Sequence, residues 1–456
     1  MKPIIISNGR MLVGNPAVEI IGDILIEDGK ISAIGTVGSH AEAEIIDAKN
    51  SLVLPGLVDT HTHYIAGANA GYSMLPLAGV TTALDAICNG TAPETIQKTP
   101  TGLNILFLYL IKPGLTVKSV NPKDSELSQV LDKALKAGAF GIKLAGAHFP
   151  ITPDATGRLI ALCARRKIPL MIHAGTTENT DDINGLLALE ALADGNPLHI
   201  AHVNSYCLGV ATGDSIAEAV SAINMLKRMP HVVSESILSP LDCMGTRMIN
   251  GVPESLVMIN WLEQSGFPGT YKGLEAAIAA EVFRVSGPKN GVFDFLDRDA
   301  GLARCRERDG QVTIGISRHT MSKNIVVATA KRDNGDFVVD AISTDGGIVP
   351  RNVTLDYGLK LVNAGVFTMS EFVHKACSRG AWMLGLSEQK GQLSVGYDAD
   401  IVVADPVTGQ AQVVISNGLK IMDNGIVYNN NNKLYSLKQG VYSGLAASKV
   451  EPEWVH

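Results

Sequence analysis

The chain has 456 residues, 46% of them hydrophobic and 18% charged, with 46 glycines and a formal net charge of -7. A chain of this length buries a large core and has room for more than one domain, and the balance is that of a loop-rich globular enzyme. The acidic charge excludes a general nucleic-acid binder, and no apolar run reaches membrane-spanning length.

Residues 1–53 carry short β-branched runs, Ile4–Ser7, Gly22–Ile26, Ile31–Ile34 and Glu44–Ile46, with a tight turn at Glu27-Asp28-Gly29. From Pro55 onward strands alternate with helical stretches. Val80–Ala86 and Asn104–Leu110 read as strands. The periodic helix Ser125–Ala137 closes at Gly138 before strand Gly141–Ala145. Helix Asp154–Lys167 precedes strand Ile168–His173, Asp182–Ala193 precedes Leu198–Val203, and Asp214–Arg228 precedes His231–Glu235. This alternation predicts an α/β protein with a closed (β/α)8 TIM-like barrel.

After seven strands the alternation stops. The long insertion at about 236–335 holds a helix near Gly273–Phe283 and a hairpin-like pair, Gln311–Ser317 and Asn324–Ala330. Insertions at this point of a barrel cover the active-site mouth, so a lid is expected here. The eighth strand, Phe337–Thr344, ends in Asp345-Gly346-Gly347, and helices Leu355–Ala364 and Met369–Leu384 follow. The β texture then returns at Ala399–Ala404, Gln412–Ser416 and Lys420–Met422. The expected domains are a barrel over 54–384, a composite β-sandwich from 1–53 plus 385–428, and a loop-like tail over 429–456.

The chemistry gathers at strand ends. Leu54–His63 reads Leu-Pro-Gly-Leu-Val-Asp-Thr-His-Thr-His, and strand alternation puts His61 and His63 on one face. Lys143 stands on the fourth strand, His173 on the fifth, His202 or His199 on the sixth and Asp345 on the eighth. In a barrel all of these face one pocket at the C-terminal rim. Four imidazoles and a carboxylate suit one or two borderline-soft divalent ions, most simply zinc. An ammonium beside such ions is repelled. Lys143 therefore makes sense as a carbamate formed with carbon dioxide, which supplies an anionic bridging oxygen.

Several phrases in register resemble the amidohydrolase superfamily: Pro-Gly-Leu-Val-Asp-Thr-His-Thr-His, Gly-Ile-Lys, Ile-His-Ala-Gly, His-Ile-Ala-His-Val-Asn and Ser-Thr-Asp-Gly. Gly22-Asp-Ile-Leu-Ile-Glu-Asp-Gly-Lys-Ile and Gly396-Tyr-Asp-Ala-Asp-Ile-Val-Val-Ala-Asp match its flanking sandwich, so the likeness runs from about residue 3 to 428. Lys143 places it nearer the binuclear hydantoinase, dihydroorotase, isoaspartyl dipeptidase and D-aminoacylase branches than the mononuclear deaminases.

The resemblance implies that His61, His63 and Asp345 hold the more buried ion and His173 and His202 the outer one, with carbamylated Lys143 bridging. His202 is favoured over His199, which lies at the strand's start. Asp345 would also be the catalytic base, and the reaction hydrolysis of a carbon–nitrogen bond in an amide, cyclic amide or imide, or an N-acyl-amino acid. Rival readings are a mononuclear deaminase and a non-catalytic subunit.

The insertion matches no branch of the family, and no substrate-pocket motif is visible after Lys143, where Leu-Ala-Gly-Ala-His148 stands. Arg247, Arg318 and His319 are the insertion residues that could hold a carboxylate or polarise a carbonyl. Six scattered cysteines, Cys88, Cys163, Cys207, Cys243, Cys305 and Cys377, predict reduced thiols in a cytoplasmic protein without a signal peptide. The expected partner is a small-molecule substrate, with no nucleic acid and no membrane, and the expected assembly is a homo-oligomer.

Overall fold

The computed structural model describes residues 2–38, 40–63, 73–88, 92–98, 100–289, 291–347, 349–437 and 452–455. Its centre is a curled parallel sheet. Seven strands lie side by side in chain order: Leu57–His63, Val80–Cys88, Asn104–Ile111, Gly141–Leu144, Leu170–Ile172, His199–Ile200 and Val233–Ile237. The next strand is split. Ala341–Ser343 pairs parallel with Val233–Ile237, and Gly346–Gly347 pairs parallel with Leu57–His63. One segment thus meets both edges of the curl. Two of these strands, Leu170–Ile172 and His199–Ile200, are shorter than their apolar runs.

The helices begin where the sequence supplies caps. Asp182 accepts from the backbone of Asn184 and Gly185, Asp214 from Ile216 and Ala217, and Thr152 from Ala155 ahead of Pro153. Their buried faces and the β-branched strands make one large core of aliphatic side chains.

Both chain ends build a second, nine-stranded sheet. Ile4–Val13 pairs with Val18–Glu27, Glu44–Asp47 and Leu52–Pro55, and Leu52–Pro55 pairs in turn with Ile401–Ala404. The chain leaves this sheet at Pro55 and enters the parallel sheet at Leu57. Gly56 lies against Thr81 there, so closely that a Cβ would sit 2.2 Å from its hydroxyl oxygen. Buried Lys390 joins the two sheets. Its Nζ donates to Asp398 (2.7 Å) and Asp400 (2.8 Å), and Asp400 also accepts from Asn104 on the third parallel strand (3.1 Å).

Most of the insertion folds around a core of its own, with Met258, Leu262, Leu274, Ile278 and Ile314 at its centre. Strands Leu241–Gly245, Thr313–Ser317, Arg284–Lys289 and Val292–Phe295 form its sheet, beside helices Leu256–Gln264, Tyr271–Ala279 and Arg298–Glu307. The expected strand Asn324–Ala330 is instead the helix Met321–Thr329. Its β-branched run favours a strand, but Lys323, Asn324, Val327 and Ala328 are buried at helical spacing. Asn324 accepts from Asn204 (2.7 Å) and donates to the Ser239 carbonyl (3.1 Å). Packing outweighs local propensity.

The tail also departs from a loop. Lys433–Leu437 is a strand parallel to Asn104–Ile111, with Tyr435 fully buried. Asn432 anchors its start by accepting from the Thr101 and Leu103 amides. Residues 438–451 and 456 lie outside the described residues. No described helix is long and apolar enough to cross a membrane. Cys163, Cys207, Cys243, Cys305 and Cys377 are buried free thiols.

Candidate metal centre

Alternation along Leu57–His63 brings Asp59, His61 and His63 to one face, with the two imidazole centroids 5.4 Å apart. Asp59 ties this strand to the eighth, accepting from the Thr344 amide (3.2 Å) and hydroxyl (2.5 Å). The Asp345 amide donates to the His61 carbonyl (2.9 Å). Asp345 has a left-handed backbone (φ 48°), the break between the two halves of that strand. This conformation turns its carboxylate inward, with Oδ1 2.7 Å from His63 Nε2 and 3.4 Å from His61 Nε2.

Lys143 ends the fourth strand buried, its Nζ 3.3 Å from His61 Nε2 and 3.1 Å from Met171 Sδ. Burial outweighs the pull of Asp345 and Glu235 and brings its ammonium down to about 8. His173 Nδ1 lies 3.1 Å from His202 Nε2, and the His202 ring stacks on His61 at 5.2 Å. His199 points elsewhere, its Nε2 against Glu235 Oε2.

These residues fit a metal ion. Ligand atoms of His61, His202 and Asp345 all lie within 4.8 Å of one another. His173 Nδ1 and His202 Nε2 face each other at 3.1 Å while His173 Nε2 and His202 Nδ1 are buried without a partner; a cation beside the facing nitrogens would take both lone pairs and leave the hydrogens on the outer nitrogens. Desolvation holds His61 and His173 well below the usual histidine range and His202 at about 4, so all three are neutral. Asp345 stays ionised: burial raises it, but Arg351 and His61 more than offset that and hold it well below the usual carboxylate range. Neutral imidazoles and a carboxylate are the donors a borderline-soft divalent cation takes.

The centre opens on a cavity of about 280 Å³. Its far wall comes from the insertion, through Asp242, Met244, Val257 and Trp261, with Phe149 and Tyr206 at the sides. Arg247, Arg318 and His319 are not part of the lining. Arg247 is exposed beside Glu254, Arg318 stacks over Trp261 and donates to Gln264, and His319 is buried between Asp242 and Lys323.

Four neighbours of the centre went unassigned in the sequence. Arg351 is buried, donating to the Asp345 carbonyl (2.7 Å) and paired with its carboxylate; it stands six positions after Asp345, with no motif to join the two. His148 lines the cavity, 4.6 Å from the His173 ring, with Nδ1 2.9 Å from Ser255 Oγ. Asp59 and Glu235 did have a signal, since each is a carboxylate inside an otherwise uncharged strand.

A parallel α/β sheet carrying imidazoles and a carboxylate at its C-terminal rim defines a protein of the metal-site hydrolase class. Family models described as "Amidohydrolase family" match residues 44–106 and 288–438. A D-hydantoinase of Geobacillus stearothermophilus is 26% identical over 432 residues, covering 88% of this chain and 84% of that one. An N-acyl-D-aspartate deacylase of Alcaligenes xylosoxydans xylosoxydans is 23% identical, covering 89% and 87%. Among solved structures, an N-acyl-D-glutamate deacylase of Bordetella bronchiseptica, complexed with zinc and a phosphonate inhibitor, superposes with a TM-score of 0.64 at 15% identity. That match covers 94% of this chain and 98% of the other. These matches make the chain similar to amidohydrolases over most of its length.

Proposed function

We propose that the protein is a cytoplasmic, metal-dependent hydrolase of a carbon–nitrogen bond in an amide, a cyclic amide or imide, or an N-acyl-amino acid. The observation that carries this reading is the convergence of ligand atoms of His61, His202 and Asp345 within 4.8 Å of one another beside a cavity of about 280 Å³. In this reading His61, His63 and Asp345 would hold one divalent ion and His173 and His202 a second, both zinc. Lys143 would serve both as a carbamate ligand, for which its amine must first be neutral. Burial favours that state. Bound there, the ions supply Lewis acidity, polarising the scissile carbonyl and acidifying water.

The remaining work falls to the chain itself. Asp345 accepts a proton from the attacking water as the oxygen–carbon bond forms, and returns it to nitrogen as the carbon–nitrogen bond breaks. Arg351 holds Oδ2 of that carboxylate, leaving Oδ1 toward the histidines. Met244, Val257 and Trp261 exclude water from the far side and select the small-molecule substrate. The architecture that goes with this reading is a closed (β/α)8 barrel over 54–384, a β-sandwich from 1–53 plus 385–428, and a homo-oligomeric assembly.

Elemental analysis after reconstitution with zinc and bicarbonate tests the centre, with two ions per chain expected. A screen of hydantoins, dihydropyrimidines, cyclic imides, lactams and N-acyl-amino acids tests the reaction. One ion at most would turn the reading toward a mononuclear deaminase. A fully loaded protein that hydrolyses none of these classes would overturn it.

A further inference from the structure

Glu235 sits at the middle of strand Val233–Ile237 with no exposed surface. Each carboxylate oxygen is engaged. Oε1 lies 2.8 Å from His61 Nδ1 and accepts from the His202 backbone N–H, also at 2.8 Å, while Oε2 meets His199 Nε2. One side chain therefore touches the ring of one candidate ligand, the backbone of a second, and His199 at the start of the sixth strand. Glu235 is not part of the cavity lining, so it does not meet substrate.

We propose that Glu235 is the positioning residue of the metal centre, resting on the reading above that His61 and His202 are ligands. Against Oε1, His61 keeps its hydrogen on Nδ1 and turns the Nε2 lone pair to the centre, where Lys143 and Asp345 already face it. His202 has φ 30° and ψ 62°, a left-handed backbone that is strained for a non-glycine residue. The bond from its amide to Oε1 holds that turn, and the turn carries the imidazole past the strand end to meet His173. Oε2 takes up His199, which keeps a competing imidazole out of the ligand set. The carboxylate thus decides which histidine of His199-Ile-Ala-His202 binds metal.

Three variants test this with cobalt(II) as probe, read by metal affinity and by the visible ligand-field spectrum. Glu235→Leu is expected to weaken cobalt binding by roughly 10- to 100-fold, the usual scale for losing a partner of a ligating histidine, and to alter the spectrum. Glu235→Gln keeps an oxygen for His61 and His202 and an N–H for His199, and is expected to retain the wild-type spectrum with a smaller loss of affinity. His199→Gln is expected to leave stoichiometry and spectrum unchanged. Wild-type affinity and spectrum in Glu235→Leu, or a lost ion in His199→Gln, overturns the proposal. Where Glu235→Leu does not fold, the Gln variant carries the test, and a spectrum as altered as that of unfolded protein counts against it. A wild-type protein that takes up no cobalt fails the metal reading itself, a result distinct from each of these.

Discussion

The two walls of the cavity are built on opposite plans. On the barrel side, polar atoms are brought together and left unspent: His173 Nε2 and His202 Nδ1 have no partner, and three imidazoles, His61, His63 and His202, crowd one carboxylate. On the insertion side, the surface is largely apolar and the charges are spent on one another. Asp242 meets His319 (2.7 Å) and Arg351 (3.7 Å), His319 meets Lys323 (2.5 Å), and Arg351 closes the chain on Asp345. The difference separates two jobs. On the proposed function, reactivity would belong to strand ends whose positions follow from the parallel sheet, and selection to a subdomain with a core of its own, which could vary without moving the candidate ligands.

That division breaks first, if it is wrong, at Lys143. Lys143→Ala is expected to abolish turnover, and acetate or propionate should restore part of it by standing in for the carbamate. Full activity in the Ala variant removes the carbamate from the centre. Next comes the ion chain behind the insertion wall. Asp242→Asn leaves His319, Lys323 and Arg351 without their shared counter-charge, and unfolding measurements should show a loss of about 3 kcal/mol. A loss below a few tenths would mean that this chain is not structural.

Asp345→Asn should lower turnover by a factor on the order of 10² or more while much of the metal stays bound, as expected for a lost proton carrier. Metal content and turnover are measured on one preparation, and near-wild-type turnover with metal bound excludes the shuttle. The smallest effect sharpens the other half of the comparison. Trp261→Phe should change kcat/KM by about tenfold between substrates differing in bulk, with metal content untouched. Equal kcat/KM for all of them would remove the insertion from selection.

The barrel side was legible in the sequence because its logic is periodic. Alternation gave His61 and His63 a common face, and each later strand end repeated the signal. The insertion side was not, for two physical reasons. Its partners are joined only by tertiary packing, so nothing in the spacing of Asp242, His319 and Arg351 announces their contact. Its local propensities also conflict with the fold: Ile325-Val-Val-Ala328 has strand composition yet lies in a helix, because Asn324 and Lys323 find buried partners only in that form. Lys433–Leu437 was missed for a related reason, since a short strand after an asparagine run is held by pairing with the distant strands Asn104–Ile111 and Pro452–Val455 rather than by its own composition.

The continuity of Leu52–Pro55 with the histidine strand bears on how the chain is made. Leu52–Pro55 is hydrogen-bonded to Ile401–Ala404, so the segment that aims His61 and His63 acquires its second flank only when the end of the chain has emerged from the ribosome. During synthesis it is an unpaired, apolar sheet edge awaiting a partner translated much later. Chains stopped before Ile401 would keep every candidate ligand and still expose that edge, so premature termination near the end should yield aggregation rather than a smaller working enzyme.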